Sequence, residues 1–341
     1  MKNKMFNIIV VLISTCIFFS FFIFTKGIHS MIKELKSLDI YWIFLAVIAV
    51  ILFWTFETMI LYTIMKNLYP RERLFSKSIK FQMVGQFFGA ITPLGAGSHP
   101  SQLYAMTETG MPAGLSGSIL IIKFMIHEIV SMFFLVVALL FKFNYFNLKI
   151  KYFFYFSILG IVINIGVMLL AISIIINKKL AKSIINFIVK LLGKIHIMKD
   201  IKSKQEKIEN EIESFHKNAI LIGKHIGMCA HAIVYSLLQW TTYFSIPYFI
   251  YRSFGFNSID LCTIMSAQVF LTVFMTAIPL PGAEGGAEGG FYVIFNLFFK
   301  AKTVIALFVW RMITYYLSII VSSMFILAFP NVRLKNDIIE Q

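Results

Sequence analysis

The sequence predicts an all-α polytopic integral membrane protein, with about six full spans and two Gly/Pro-broken re-entrant hairpins arranged as an inverted repeat. Three observations carry that expectation. Of 341 residues, 59% are apolar and only 14% charged, with a mean hydropathy of +0.82, whereas soluble domains carry roughly a quarter charged residues. Six apolar stretches reach the ~20 residues that a bilayer crossing takes, at 6–24, 40–65, 114–141, 152–176, 219–250 and 302–329. Two further stretches, 81–94 and 259–299, are interrupted by Thr92-Pro93-Leu94-Gly95-Ala96-Gly97 and by Pro279-Leu280-Pro281-Gly282. Pro and Gly at that density end helices.

The first span follows Lys2 and Lys4 and is not followed by a small-x-small cleavage site, so it reads as a retained anchor with a cytoplasmic N-terminus. If each broken stretch leaves the membrane on the side it entered, segments 1–5, 66–80, 177–218 and 331–341 face the cytoplasm. They carry 19 Lys and Arg, against nine on 25–39, 142–151, 251–258 and 300–303. Positive-inside bias therefore gives a multi-pass protein of the cell membrane with both termini in the cytoplasm. The net charge of +15 is read as topology, because no folded soluble face is available to gather it for nucleic acid. Cys16, Cys229 and Cys262 sit in apolar stretches without paired spacing, so they read as packing residues and suggest neither a disulfide framework nor a zinc site.

The chain reads as a single membrane domain, 1–341, whose halves at approximately 40–141 and 219–329 each run span, broken hairpin, span, in opposite sense. Residues 177–218 join them. That connector carries ten lysines, with Leu180, Ile184, Ile188, Leu191 and Ile195 at helical spacing, and reads as a basic amphipathic segment on the anionic inner leaflet or as a solvated linker. The hairpins rhyme, Ala90-Ile91-Thr92-Pro93-Leu94-Gly95-Ala96-Gly97 beside Ala277-Ile278-Pro279-Leu280-Pro281-Gly282-Ala283-Glu284-Gly285. Paired breaks in two inverted halves point to a transport site near the midplane, although ordinary kinked membrane helices yield similar strings.

The run from Gly282 to Gly290 is a tandem Gly-Ala-Glu-Gly that sets Glu284 and Glu288 four residues apart, on one face if helical. Glycines admit a close headgroup, and a broken helix leaves free N–H groups for an anion such as phosphate. Two glutamates there favour a cation instead. A zwitterionic or cationic phospholipid headgroup meets both demands. A structural reading pairs one glutamate with Arg311, which lies within an apolar span and needs a counter-ion; both readings hold if that pair forms when no substrate is bound.

In the first hairpin, Ser98, Ser101 and Gln102 offer donors to phosphate oxygens, or cap a short helix. A histidine is able to titrate near neutral pH, so His99 reads as a proton relay or as a solvated loop residue. Lys123 and His127 share a helix face and, with Glu57, Glu128, His231, Gln239 and Gln268, read as internal polar contacts. No P-loop is present, so nucleotide-driven pumping is unsupported, and no cofactor, metal or catalytic residue is expected. An intramembrane serine protease is a minor alternative, from Gly114-Leu115-Ser116-Gly117 with His225 and His231 as bases. A zinc protease lacks the second histidine after His127-Glu128.

Three strings, Ile91-Thr92-Pro93 through Tyr104, Pro281-Gly282-Ala283 through Phe291, and Trp310-Arg311-Met312-Ile313-Thr314-Tyr315-Tyr316, resemble the membrane domain of lysylphosphatidylglycerol synthases, the multiple peptide resistance family, and its stand-alone relatives. The resemblance implies a flippase that moves lysylphosphatidylglycerol to the outer leaflet and so lowers surface negativity against cationic peptides. By motif position it implies substrate-binding roles for Gly97, Ser98, Gln102, Glu284, Gly285, Glu288, Gly289 and Arg311. Long members of the family carry a soluble aminoacyltransferase domain after the membrane part. With the chain ending at Gln341, the expected partners are a phospholipid substrate, the anionic inner leaflet and a separate lipid aminoacyltransferase. The alternative reading is the membrane component of a phosphatidylglycerol lysyltransferase system. Relatives show a Gly-Gly pair where this sequence has Gly97-Ser98, which leaves headgroup identity open, as is the oligomeric state.

Overall fold

The computed structural model describes residues 27–184 and 205–328, apart from 277, 279 and 284. The expected first span, the middle of the basic connector and both termini lie outside the described residues. Helices and turns account for the described chain, the one strand-like feature being an isolated antiparallel bridge between Pro93 and Pro281.

A short helix, α1 (Ile28–Lys36), precedes three long apolar ones, α2 (Ile40–Leu68), α5 (Ala113–Asn147) and α6 (Phe153–Ile176), which cover three expected spans. The ends of the first two follow from local chemistry. Asp39 caps α2 by accepting the Tyr41 N–H at 2.9 Å, Pro70 lies just past its end, and Pro112 precedes α5. In α6 the buried residues Phe153, Ser157, Gly160, Asn164 and Ala171 form one stripe. Its other faces, with Tyr155, Leu159 and Val162, are exposed, as a lipid-facing helix requires.

The expected span at 219–250 is not one straight helix. The chain there forms two helices, α7 (Gln205–Lys224) and α8 (Ile226–Ser253), bent by 81° at His225. Apolar Ala219 and Ile222 extend the hydropathy of α8 backwards, but they are buried within the protein. α7 lies along the start of α5, where Glu211 accepts the Gly114 N–H at 2.5 Å. A Cβ at Gly114 would come within 2.9 Å of Ser214. Around it, Lys178 pairs with Glu213 at 3.4 Å and Lys182 with Glu209. Among the described residues, α2, α5 and α6 are each long and apolar enough to cross a membrane, as is the helical stretch Gly286–Leu327 taken by its length, and the bent pair would add a fifth if it is one span.

Two helical hairpins complete the bundle. α3 (Leu74–Ala90) turns into α4 (Ser98–Glu108), and α9 (Leu261–Met275) turns into α10 (Gly286–Phe299). No arm has the ~20 residues of a full crossing. The chain then reverses at Lys300, φ 49°, and runs through a 3₁₀ turn (Lys300–Lys302), α11 (Thr303–Arg311), a π-helical turn (Met312–Tyr316) and α12 (Leu317–Ala328). The reversal is required by Glu288 and Arg311, which sit 2.6 Å apart, whereas a straight helix would separate them by about 34 Å.

The most extensive packing joins α2 to α8; α3 packs on α12, and α9 on α5. At one end of the bundle Glu34 pairs with Lys302 at 3.4 Å and Lys142 with Asp260 at 3.7 Å, while the Asp39 N–H bonds the Ser253 carbonyl. At the other end Leu74, Met111, Ile222 and Met228 share one apolar cluster. The hairpins start from these opposite ends and meet tip to tip at Pro93 and Pro281. Each tip follows its proline with two left-handed residues, Leu94 (55°) and Gly95 (65°) in one, Gly282 (59°) and Ala283 (51°) in the other.

Candidate functional site

The first tip is pinned by Thr92, whose hydroxyl donates to the Phe88 carbonyl at 2.6 Å and accepts the Gly97 N–H at 2.8 Å. Gly97 has no room for a side chain, since a Cβ would lie 2.8 Å from both Phe88 and Thr92. Ser98 packs over Gly89, and Gln102 fills the space that a Cβ at Gly85 would need. Two glycines on α3 thus let α4 close onto it. His99 lies in the first turn of α4, its ring edge-on to Phe124 and its Nδ1 buried, so the solvated-loop reading is corrected.

Gln102 is fully buried and leads to a polar cluster below the tip. Its amide donates to Gln82 Oε1 at 3.2 Å, and Lys123 Nζ donates to the same oxygen at 2.5 Å and to Glu57 at 3.2 Å. Lys123 is 3% exposed, and a charge so far from water persists only with partners of this kind. Gln82 was not singled out by the sequence. Only its position on α3, one side of the Gly85 contact, brings it to Lys123.

The second tip is built around Arg311. Its Nε donates to Glu288 at 2.6 Å and its Nη1 to the Gly282 carbonyl at 3.0 Å, while the guanidinium lies against the rings of Trp310 and Tyr315. Glu288 also accepts the N–H of Gly285 at 2.6 Å, capping α10. Gly285 has φ 77°, which suits glycine. Arg311 thus has the counter-ion that the sequence demanded. Its remaining nitrogen, Nη2, is buried with no hydrogen-bond acceptor among the described residues. Glu284, the other expected carboxylate, lies outside the described residues.

Tyr315 links the two tips. Its hydroxyl donates to the Ala90 carbonyl at 3.2 Å, and its ring occupies the space a side chain at Gly282 would take. Gly289 stands apart from the ion pair. It is exposed, with no atom near the position of an added Cβ, and fronts an apolar crevice of about 130 Å³ between α6, α9 and α10. The structure therefore brings Gly285, Glu288 and Arg311 together, keeps Gly97 and Ser98 against their own hairpin at Phe88, Thr92 and Gly89, and sends Gln102 to the Lys123 cluster.

A larger cavity of about 230 Å³ lies between the halves, lined from α2, α3, α5, α8, α9, the π-turn and α12. His127 faces it, one turn from Lys123. Its backbone carbonyl accepts from Trp240 Nε1 at 3.3 Å. Gln239 and Gln268 are fully buried, whereas His231 is exposed. The residues behind the protease alternative do not assemble: Ser116 is fully buried with its hydroxyl bonded to the Pro112 carbonyl at 2.9 Å, while His225 and His231 are exposed. Gly114 and Gly117 serve the contact with α7, where a Cβ at Gly117 would lie 3.4 Å from Phe215. Among the described residues no group of three or more His, Cys, Asp or Glu could hold a metal ion.

No curated protein and no solved structure matches the chain. Residues 7–322, however, match the family described as the lysylphosphatidylglycerol synthase TM region, and that match takes in both hairpins, the Arg311–Glu288 pair and the cavity between the halves. On this footing the chain belongs to the lysylphosphatidylglycerol synthase transmembrane-region family.

Proposed function

We propose that this chain is a phospholipid translocase that moves a zwitterionic or cationic lipid such as lysylphosphatidylglycerol between leaflets of the cell membrane. The observation that carries the reading is Arg311: a buried guanidinium at the meeting point of two hairpins, with one nitrogen still lacking an acceptor. A donor left unpaired in an apolar interior costs ~1–3 kcal/mol, and a phosphate oxygen would satisfy it. Glu288 serves as the counter-ion while no lipid is bound.

The architecture supports the same reading. A step of 188 positions carries Pro93 to Pro281, and the same step carries Leu94 and Gly95 to the left-handed Gly282 and Ala283, Gly97 to Gly285, and Lys123 to Arg311. Two halves so related and inserted in opposite sense would present one buried cation toward each leaflet, and rocking of the halves about the tips gives alternating access.

The test uses proteoliposomes with labelled lysylphosphatidylglycerol in the inner leaflet and a membrane-impermeant amine reagent outside. Transfer well above empty liposomes, lost in Arg311→Gln and Glu288→Gln, is the expected result. Folded protein that gives no transfer overturns the reading. The family also admits a role as the membrane component of a phosphatidylglycerol lysyltransferase system. In that case a soluble aminoacyltransferase co-purifies with the chain, and lipid aminoacylation rather than transfer fails when the chain is absent.

A further inference from the structure

The apolar crevice of about 130 Å³ beside Gly289 belongs neither to the Arg311–Glu288 pair nor to the cavity between the halves. We propose that it is a binding site for an anionic glycerophospholipid of the surrounding leaflet, with one acyl tail lodged between α6, α9 and α10 and the phosphate held at the turn between α5 and α6. This site does not rest on the translocase reading, since it needs only a chain that spans a bilayer.

The crevice exists because small residues fall where the helices part. α6 meets α9 closely on two levels: at Phe153, whose ring lies edge-on to Phe270 with centroids 4.8 Å apart, and at Gly160, where a Cβ would lie 2.2 Å from Val273. Between these contacts α6 presents Ser157, and α10 presents Gly289 with open space where a side chain would stand. Every other side chain of the wall is aliphatic or aromatic, and the Ser157 hydroxyl donates to the Phe153 carbonyl at 2.9 Å. A buried water needs two to four polar partners, which such walls do not supply. Phe156 and Val293 at the mouth are exposed, so the crevice opens on the surface that α6 turns to lipid. In the hydrocarbon layer the abundant molecule of matching chemistry is an acyl chain.

The rim decides the headgroup. Ile150 is buried and closes the crevice at the α5–α6 turn, while Lys149 and Lys151 on either side of it are exposed. Lys149 Nζ lies 3.7 Å from the centroid of the Tyr145 ring and Lys151 Nζ 4.9 Å from that of Tyr152. Tyrosine and lysine are residues of the headgroup level, and an ammonium over a ring face still has protons to donate to a phosphate oxygen. Lys142 nearby is taken by Asp260 at 3.7 Å. Lys149 and Lys151 have no carboxylate partner among the described residues, and no acidic residue occurs in the sequence between Glu128 and Asp200. Two cations without counter-ions above an apolar slot match a headgroup of net negative charge, and favour it by about tenfold or more. A zwitterionic headgroup brings a cation of its own to the same place. A tail so lodged rests on both arms of the second hairpin, on Val273 and Phe274 of α9 and on Gly290 and Ile294 of α10, and braces the hairpin that carries Glu288.

The test counts retained lipid. The full chain in maltoside detergent is titrated with dioleoyl phosphatidylglycerol, dioleoyl phosphatidylcholine or glycerophosphoglycerol, the same anionic headgroup without tails, and analysed by native mass spectrometry. The parent is expected to retain phosphatidylglycerol at about one-tenth of the concentration that phosphatidylcholine needs, and not to retain the tailless headgroup. Two variants, checked for unchanged thermal unfolding in lipid-free detergent, assign the site. The paired variant Lys149→Gln and Lys151→Gln should lower the count of bound phosphatidylglycerol by one and leave phosphatidylcholine unmoved, whereas Gly289→Leu, which fills the slot, should lower the count for either lipid by one. Equal retention of the two lipids, or counts unchanged in either variant, overturns the assignment. Tight binding of the tailless headgroup marks a site for soluble anions and overturns it also. An intact lipid count without transfer in proteoliposomes would sink the translocase and leave the crevice; transfer with the same lipid count in parent and variants would do the reverse.

Discussion

At the scale of single residues, charge in an apolar setting is the most informative signal, because it compels a partner. Arg311 sits within a predicted span, and the sequence already points to the glutamates of the second hairpin; the structure supplies Glu288 at 2.6 Å. Removing one member of such a pair leaves the other buried and alone, at a cost of about 3 kcal/mol. Arg311→Gln is therefore expected to lower thermal stability in detergent. Adding Glu288→Gln to the same chain should recover most of the loss, and a double variant no better than the single would break the pairing argument. Gln82 shows what the sequence hides. An uncharged amide carries no obligatory counterpart, so nothing in 81–94 reveals that its oxygen serves both Lys123 and Gln102. The cavity was hidden for a different reason: its walls come from seven separate stretches of chain, and no local pattern records their meeting.

Among elements, helices filled by one long apolar run were legible, two of them marked also by a proline or a capping carboxylate, and a bend inside such a run was not. α2, α5 and α6 follow the apolar runs, while the break at His225 has no proline, and the apolar residues Ala219 and Ile222 carry the hydropathy across it. The hairpin tips were legible as breaks, and their geometry explains which glycine matters most. Gly282 combines φ 59° with the Tyr315 ring where a Cβ would stand. Gly282→Ala is expected to destabilise the fold by more than the ~1 kcal/mol that left-handed backbone alone costs, measured by thermal unfolding. Gly289→Ala, facing open space, should stay within ~0.5 kcal/mol of the parent. At the start of α9, burial pushes the Asp260 carboxyl up, but bonds from the Thr263 hydroxyl and N–H and the nearby Lys142 outweigh it and hold the group below its ordinary value of 3.8. A depressed carboxylate stabilises the fold above its unfolded value and loses that contribution as pH falls through the folded one. Asp260→Ala should thus cost about 1 kcal/mol at neutral pH, with the difference from the parent shrinking as pH drops below 3.8; a pH-independent difference would sink the argument.

For the whole molecule, the decisive contact is the one between tips that arrive from opposite ends. Strand-like pairing brings Cα atoms to about 4.5–5.5 Å, within the range of a disulfide. In a chain whose Cys16, Cys229 and Cys262 are replaced by alanine, Pro93→Cys with Pro281→Cys is expected to cross-link under mild oxidation. The bond should stop translocation if the halves must part, and a reductant should restore it; transport through the locked protein would contradict rocking about the tips. The choice of proline at both positions has a further effect. Neither residue has an amide hydrogen, so the two prolines add no donors of their own to the seam along which a file of water could order. On the translocase reading, a passage for two-tailed lipid would thereby be kept from serving as a wire for protons, and the electrochemical gradient of the membrane would be spared.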